Sequence, residues 1–342
     1  MPAIEPGQPV RFGIVGLGVG RSRAQMVLKT PGAKLQMICD LRPEVAQKYA
    51  AEWGCAWTTN FDEMVARDDI DVIGVFTPSG THADFVIKAA QAGKHAITTK
   101  PMEVTLARAD AMAAAARQAG VVLAVDFGSR YSDEVRKVKL AVDAGRLGRP
   151  IFGDMRLKWY RSQEYYDAGS PYPWRGTWRY DGGGSLANQG IHDLDLLQWF
   201  MGPVRSVRAR INIFNHRIET EDACQAFLTF ESGAWGLVET TTTAWGSPGR
   251  AIELHGTNGC IFMADRGIVV WRFQDEDEGR VPPWQPELPP ERPMNVIEDM
   301  VAALTKGTPV ACPPEEGRKS VAIMEAIYRS AKSDGAEVQP EL

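Results

Sequence analysis

Short apolar runs alternate with stretches of helical period through the N-terminal third of the chain. Val10 to Val15 reads as a strand, followed at once by glycines and then a helix carrying Ala24, Val27 and Leu28. Lys34 to Cys39 reads as a second strand. The next helix runs from Pro43 to Trp53, with its proline where the first helical turn tolerates one. Further strands over Asp71–Phe76, His95–Thr98 and Val121–Val125 alternate with helices over Ala83–Gln91 and Leu106–Gln118. Such alternation predicts βαβ units on a parallel sheet.

The texture changes after residue 126. A helix from about Asp133 to Ala144 precedes a run of strand candidates. These are Ile151–Tyr160, Val204–Phe214, Ala223–Glu231, Ala234–Ala244, Arg250–His255, Cys260–Ala264 and Gly267–Phe273. Ser232-Gly233 and Asn258-Gly259 supply turn signals between them. Leu186 to Met201 has a helical pattern, Val281 to Pro293 is a proline-rich loop or arm, and helices over Met294–Leu304 and Gly317–Ser330 close the chain. The pattern predicts an α/β domain over residues 1–126 and an α+β domain with an antiparallel sheet over 127–342.

Composition narrows the function. The 342 residues carry 38 basic and 43 acidic side chains, a net charge of −5 without a dense basic run, which argues against a nucleic-acid partner. Five scattered cysteines form no Cys-x-x-Cys pair, so neither a disulfide framework nor a zinc site is expected, and no metal. No apolar run reaches the ~18 residues of a membrane span, and the first residues lack the pattern of a signal peptide. A cytoplasmic protein with no membrane partner is the expectation.

Gly16-Leu17-Gly18-Val19-Gly20 follows the first strand and opens a helix, with Arg21 next. Glycines there let backbone approach a pyrophosphate while the helix N-terminus offers N–H donors. The spacing departs from G-x-G-x-x-G, because the third glycine comes one residue early. Asp40 ends the second strand about 20 residues further on, where an acid binds the adenosine ribose. A carboxylate there repels a 2′-phosphate and favours NAD over NADP. Arg42 blurs that preference, since it could pair with a phosphate or lie over the adenine.

Thr77-Pro78-Ser79-Gly80-Thr81-His82, Ala92-Gly93-Lys94-His95 and Thr99-Lys100-Pro101-Met102 follow in order. Later come Asp181-Gly182-Gly183-Gly184-Ser185-Leu186 and Asn188-Gln189-Gly190-Ile191-His192, with Asp195 beyond. With these motifs the chain resembles the glucose–fructose oxidoreductase / inositol dehydrogenase (Gfo/Idh/MocA) family over about residues 10 to 330. The resemblance implies a nicotinamide-binding Rossmann domain and a substrate-binding and oligomerisation domain with a large, open, mostly antiparallel sheet. It implies a homodimer or homotetramer, and a sugar, sugar acid or cyclitol as small-molecule substrate. It also implies cofactor contacts from Thr77, Pro78, His82 and Lys100, a catalytic Lys100 and His192, and a cis peptide before Pro101. Thr99 replaces the family's usual glutamate, and Asn188 replaces an aspartate that many members carry.

Oxidising a carbinol carbon requires a group that takes the hydroxyl proton, and histidine, with a reference pKa near ~6.5, suits that at neutral pH. Asn188 stands four residues before His192 and Asp195 three after, so a helix would put both near the imidazole. Asn188 could orient the ring or bind a substrate hydroxyl. Asp195 could supply the charge that an asparagine lacks. Lys100 ends a parallel strand, the edge at which open α/β sheets bind ligands, and its ammonium can stabilise a developing alkoxide. Rings and guanidiniums crowd residues 159–180, and Arg161, Trp178 and Arg179 are the candidate substrate contacts there. Two other readings stay open: a glycosidase that oxidises its sugar transiently with NAD, and a non-catalytic dinucleotide-binding sensor.

Overall fold

The computed structural model describes residues 7–169, 172–247, 249–265 and 267–342, in two compact units. The first unit holds β1 (Val10–Val15), α1 (Gly20–Lys29), β2 (Ala33–Cys39), α2 (Pro43–Trp53), β3 (Ala56–Thr58) and α3 (Phe61–Val65). It continues with β4 (Val72–Val75), α4 (His82–Gln91), β5 (His95–Thr99), α5 (Leu106–Ala119) and β6 (Leu123–Asp126). The strands form one six-stranded parallel sheet in the order β3-β2-β1-β4-β5-β6. This is the doubly wound order whose strand sequence reverses between β1 and β4, and ligands bind such sheets at that switch point. Phe12, Ile14, Ile73, Val75 and Ile97 are fully buried, as expected of central strands covered on both faces. The alanine-rich face of α5, with Ala109, Ala113 and Ala116 buried, supplies small side chains for close helix packing.

Neither β3 nor α3 is foreseen by the sequence pattern. A three-residue strand is too short to show alternation, and α3 is little more than one turn. That turn is fixed by a cap: Asn60 Oδ1 accepts from the Asp62 N–H at 3.0 Å.

The second unit contains α6 (Asp133–Asp143), β7 (Pro150–Lys158), α7 (Gln163–Asp167), α8 (Ile191–Met201), β8 (Val204–Asn212), β9 (Ala223–Phe230) and β10 (Trp235–Thr241). It adds β11 (Gly249–Gly256), β12 (Gly259–Ala264), β13 (Gly267–Phe273) and α9 (Gln274–Asp277). No regular element interrupts the proline-rich stretch from Val281 to Pro293. The following segment, Pro293–Arg318, belongs to the first unit and carries α10 (Val296–Lys306). The closing helix α11 (Pro314–Lys332) belongs to the second unit from Lys319 onward.

The seven strands of this unit run in the order β13-β12-β11-β7-β10-β9-β8. All neighbours are antiparallel except β7 and β10. That parallel pair follows from the long stretch between them, which holds α7, α8, β8 and β9. A tight hairpin cannot return a strand in parallel. Buried and exposed residues alternate along β9, so one face lies under cover while Phe152, Phe227 and Trp235 stand on the exposed face with their rings tilted together. No helix is long and apolar enough to cross a membrane among the described residues.

His95, at the start of β5, gives the first unit a pH dependence. Its Nδ1 accepts the Val122 N–H at 2.9 Å, and burial pushes its pKa down to about 4. The unfolded ring takes up a proton near pH ~6.5, so this contribution to stability is complete above that value and is lost as pH falls toward 4. With allowance for partial exposure, urea unfolding should show the native state weakening by on the order of 1–2 kcal/mol across that window. The decline should flatten in His95→Gln, whose amide oxygen can accept the same N–H without titrating.

Candidate active site

The turn after β1 is built for close backbone approach. Gly16 has φ +85°, and a Cβ there would lie 2.6 Å from the carbonyl oxygen of Phe76, which follows β4. Only glycine permits both the conformation and the contact. A Cβ on Gly18 would meet nothing within 4 Å, so that side of the loop is open. Gly20 begins α1, whose first turn contains no acidic residue to oppose an anion, and Val19 is exposed. Leu17 is buried, and Arg21 reaches the Tyr49 hydroxyl at 3.0 Å. An open loop at a helix N-terminus, at the switch point of the sheet, fits a dinucleotide pyrophosphate.

Asp40, just past β2, is buried and already engaged. Its carboxylate accepts from the N–H groups of Leu17 (2.8 Å) and Arg42 (3.0 Å), and from Arg42 Nε (2.9 Å) and Nη2 (3.1 Å). Burial raises its pKa, yet the Arg42 guanidinium and these N–H groups together hold it below the usual carboxylate value. Four bonds fill the four lone-pair positions of a carboxylate. Ribose hydroxyls therefore reach Asp40 only when the Arg42 side chain gives way.

After β4, the Thr77 and Thr81 hydroxyls lie 2.8 Å apart, and Thr81 Oγ1 donates to the Pro78 carbonyl at 2.7 Å. His82 opens α4. His82, named above as a cofactor contact, is fully buried. Its Nε2 sits 2.9 Å from the Thr77 carbonyl oxygen, and its Nδ1 lies 3.1 and 3.2 Å from those of Pro101 and Met102. The ring ties the loop after β4 to the Lys100-Pro101-Met102 segment. Lys100 follows the end of β5, is half-buried, and precedes a cis peptide bond to Pro101, as the resemblance implied. Glu103, buried beside it, accepts from Arg108 Nε (2.9 Å) and from the N–H of Ala83 in the first turn of α4.

In the second unit His192 is half-buried on the first turn of α8. The preceding residues, Ser185–Gly190, form a wider π-helical turn in place of the continuous α-helix that the sequence pattern predicts. The glycines of the lead-in answer to contacts: a Cβ on Gly183 would lie 1.9 Å from the Tyr328 hydroxyl, and one on Gly184 would lie 1.8 Å from the Glu221 carbonyl oxygen. Glu221, fully buried, accepts the N–H groups of Gly184 (2.9 Å) and Leu186 (2.8 Å) and the Tyr328 hydroxyl (3.1 Å). Burial pushes its pKa up against the pull of these donors. Its carboxylate satisfies the opening N–H groups of the helical segment that leads to His192. Sequence reading missed Glu221. The available signal was the adjacent acids Glu221-Asp222 just before β9, because Asp222 likewise accepts the N–H groups of Phe214, Asn215 and His216.

Asn188 lies in a polar network. Its Nδ2 donates to the buried Asp181 at 2.5 Å, and its Oδ1 accepts from the Tyr165 hydroxyl at 3.0 Å and from Gln189 Nε2. Gln189 also donates to the Tyr165 hydroxyl (2.8 Å) and accepts from Arg161 Nη2 (3.0 Å). The structure thus gathers Asn188 and Arg161 around Tyr165, one of the rings of the 159–180 stretch, and Gln189, which sequence reading missed. Asp181 places a carboxylate one hydrogen bond behind the neutral Asn188. Asp195, considered above as the partner of His192, gives both oxygens to the buried Arg130 at 2.8 Å. Trp178 packs edge-on against Tyr328 beneath the Lys332 ammonium, and Arg179 is exposed over the Tyr180 ring.

Comparison with known proteins identifies the family. Residues 10–127 match an oxidoreductase family with an NAD-binding Rossmann fold, and residues 135–262 match the GFO/IDH/MocA C-terminal domain. The protein is an NAD-dependent oxidoreductase. It belongs to the Gfo/Idh/MocA family. It is 31% identical over 263 residues to scyllo-inositol 2-dehydrogenase (NAD(+)) of Bacillus subtilis, covering 74% of this chain and 73% of that one. Inositol 2-dehydrogenase of Rhizobium meliloti is 27% identical over 330 residues, covering 94% and 96% of the two chains. Among solved structures, the WlbA dehydrogenase from Bordetella pertussis, in complex with NADH and UDP-GlcNAcA, matches with a TM-score of 0.87 at 32% identity. That match covers 98% of this chain and 100% of that one.

Two variants test this geometry. Glu221→Gln cannot accept both backbone N–H groups, so urea unfolding should show a loss of about 1–3 kcal/mol. Turnover should fall in the same variant while NADH affinity stays unchanged. Arg42→Ala vacates two acceptor positions on Asp40, so fluorescence titration should show tighter NADH binding and weaker NADPH binding than in the parent protein.

Proposed function

We propose that the protein interconverts a hydroxyl-bearing carbon and a carbonyl in a sugar, sugar acid or cyclitol, with NAD(H) as redox partner. Dinucleotide binding belongs to the first unit, and substrate binding and self-association as a dimer or tetramer belong to the second. Gly16, Leu17, Gly18, Val19, Gly20 and Arg21 would hold the pyrophosphate, Asp40 the adenosine ribose once the Arg42 side chain turns aside, and Thr77, Pro78 and Lys100 the nicotinamide half, on loops that His82 joins. When bound, NAD supplies a hydride acceptor.

His192 takes the hydroxyl proton as the carbonyl forms and returns it in the reverse direction. Lys100 donates a hydrogen bond that stabilises negative charge developing on substrate oxygen. Asn188 binds a substrate hydroxyl and Arg161 a further polar group of the substrate, with Trp178 and Arg179 as outer contacts. One observation carries this reading. His192 stands on a helix whose entry is fixed by the Glu221 carboxylate, and the side chains that precede it form a preorganised polar network around Asn188. The inositol dehydrogenases among its relatives support the substrate class.

The test follows reduced-nicotinamide absorbance when purified protein and NAD+ meet a panel of aldoses, uronic acids, inositols and amino sugars. At least one class should be oxidised. His192→Ala should lower turnover by about 100-fold or more, and Lys100→Ala by a comparable factor. Full activity in both variants, or no reduction with any member of the panel, contradicts the reading.

A further inference from the structure

Arg161 occupies a confined setting in the second unit. Its guanidinium carbon lies 4.6 Å from the ring centre of Trp159 and 5.0 Å from that of Tyr165. Each ring carries a further guanidinium, Arg250 at 5.2 Å from Trp159 and Arg175 at 4.7 Å from Tyr165. Arg250 has a carboxylate within reach, Asp193 at 3.6 Å. Arg161 and Arg175 have no ion-pair partner among the described residues. Their hydrogen bonds go to neutral oxygens, the Gln189 amide at 3.0 Å and the Ala168 carbonyl at 2.6 Å. Arg161 Nε and Trp159 Nε1 are buried N–H donors that meet no acceptor among the described residues.

A half-buried guanidinium without a counter-charge is costly, and so is a buried donor without an acceptor. Stacking on two rings recovers part of that cost but leaves the charge uncompensated. The backbone beneath the charge is held rigidly as well. The Arg161 N–H donates to the Thr242 carbonyl at 2.8 Å, and its carbonyl accepts from His216 Nε2 at 2.8 Å. His216 Nδ1 in turn lies 3.0 Å from the buried Asp222. A fixed planar fork of N–H donors with excess positive charge matches a carboxylate or phosphoryl group better than a neutral hydroxyl. Through Gln189 the fork is coupled to the segment that leads into α8 and His192.

We propose that Arg161, walled by Trp159 and Tyr165, receives an oxyanion of the substrate, so that the preferred substrates are sugar acids or phosphorylated sugars. The inference rests on the dehydrogenase reading for its functional meaning. Its test is binding, so the two can fail separately. Calorimetric titration of the full chain saturated with NADH would compare D-glucuronate and D-glucose 6-phosphate with D-glucose, and D-galacturonate with D-galactose.

At least one anion should bind about tenfold or more tightly than its neutral parent, the scale of one charge-assisted hydrogen bond. Added salt should erode that margin. Which anion shows the margin separates a carboxylate from a phosphoryl preference. Arg161→Gln should abolish the margin. Arg161→Lys, which keeps the charge and the stem but not the fork, should retain part of it and serves if the glutamine variant does not fold. Neutral parents binding as tightly as every anion, or a margin that survives both substitutions, would overturn the proposal. A margin without formation of reduced nicotinamide from any substrate would leave the oxyanion receptor standing and remove the dehydrogenase reading.

Discussion

The buried carboxylate of Glu221 is the interaction on which the second unit's site depends. It meets the N–H groups of Gly184 and Leu186, where a helical segment opens inside the protein with no water to satisfy its donors. Two of the three glycines of the lead-in follow from the same constraint. Side chains at Gly183 or Gly184 would collide with Tyr328 or with the Glu221 backbone, and the carboxylate could not then reach its donors. With the entry fixed, Asn188 and Gln189 face Asp181, Tyr165 and Arg161, and His192 follows on the first turn of α8. Burial raises the Glu221 pKa, and the N–H groups and the Tyr328 hydroxyl act against that desolvation.

The first unit solves a different problem, presenting bare backbone to an anion while keeping two loops in register. Gly16 lets the turn after β1 press against the Phe76 carbonyl, and the buried ring of His82 joins the next loop to the segment after Lys100. The lysine therefore stands on a backbone tethered to the loop after β4. Selectivity at the ribose end depends on competition, since Arg42 fills the same carboxylate that a ribose would use.

Much of this was legible in the sequence. The alternation of runs through residue 126 and the strand-rich texture beyond it correspond to the two sheets, because central strands and helix faces bury their residues with distinct periods. The glycine loop, Asp40, the Lys100-Pro101 step and His192 stood in recognisable motifs. What escaped were contacts between residues far apart in the chain. Glu221 serves donors at Gly184 and Leu186, and His82 serves carbonyls at Pro101 and Met102, pairings that no local pattern encodes. The π-helical turn over Ser185–Gly190 is equally hidden, since its widening answers to packing and the apolar period changes little. The parallel pairing of β7 with β10 was missed because strand direction depends on where a long connection returns.

As a dehydrogenase, the protein moves a hydride from a substrate carbon to the nicotinamide. The most direct test of this transfer uses a substrate from the oxidation panel carrying deuterium on the carbinol carbon, with mass spectrometry of the nicotinamide after turnover. Reduced cofactor carrying one deuterium in place of hydrogen is expected, with no label taken up from heavy water when the substrate is unlabelled. Product formation that leaves the recovered nicotinamide without label, in either redox state, would contradict that transfer.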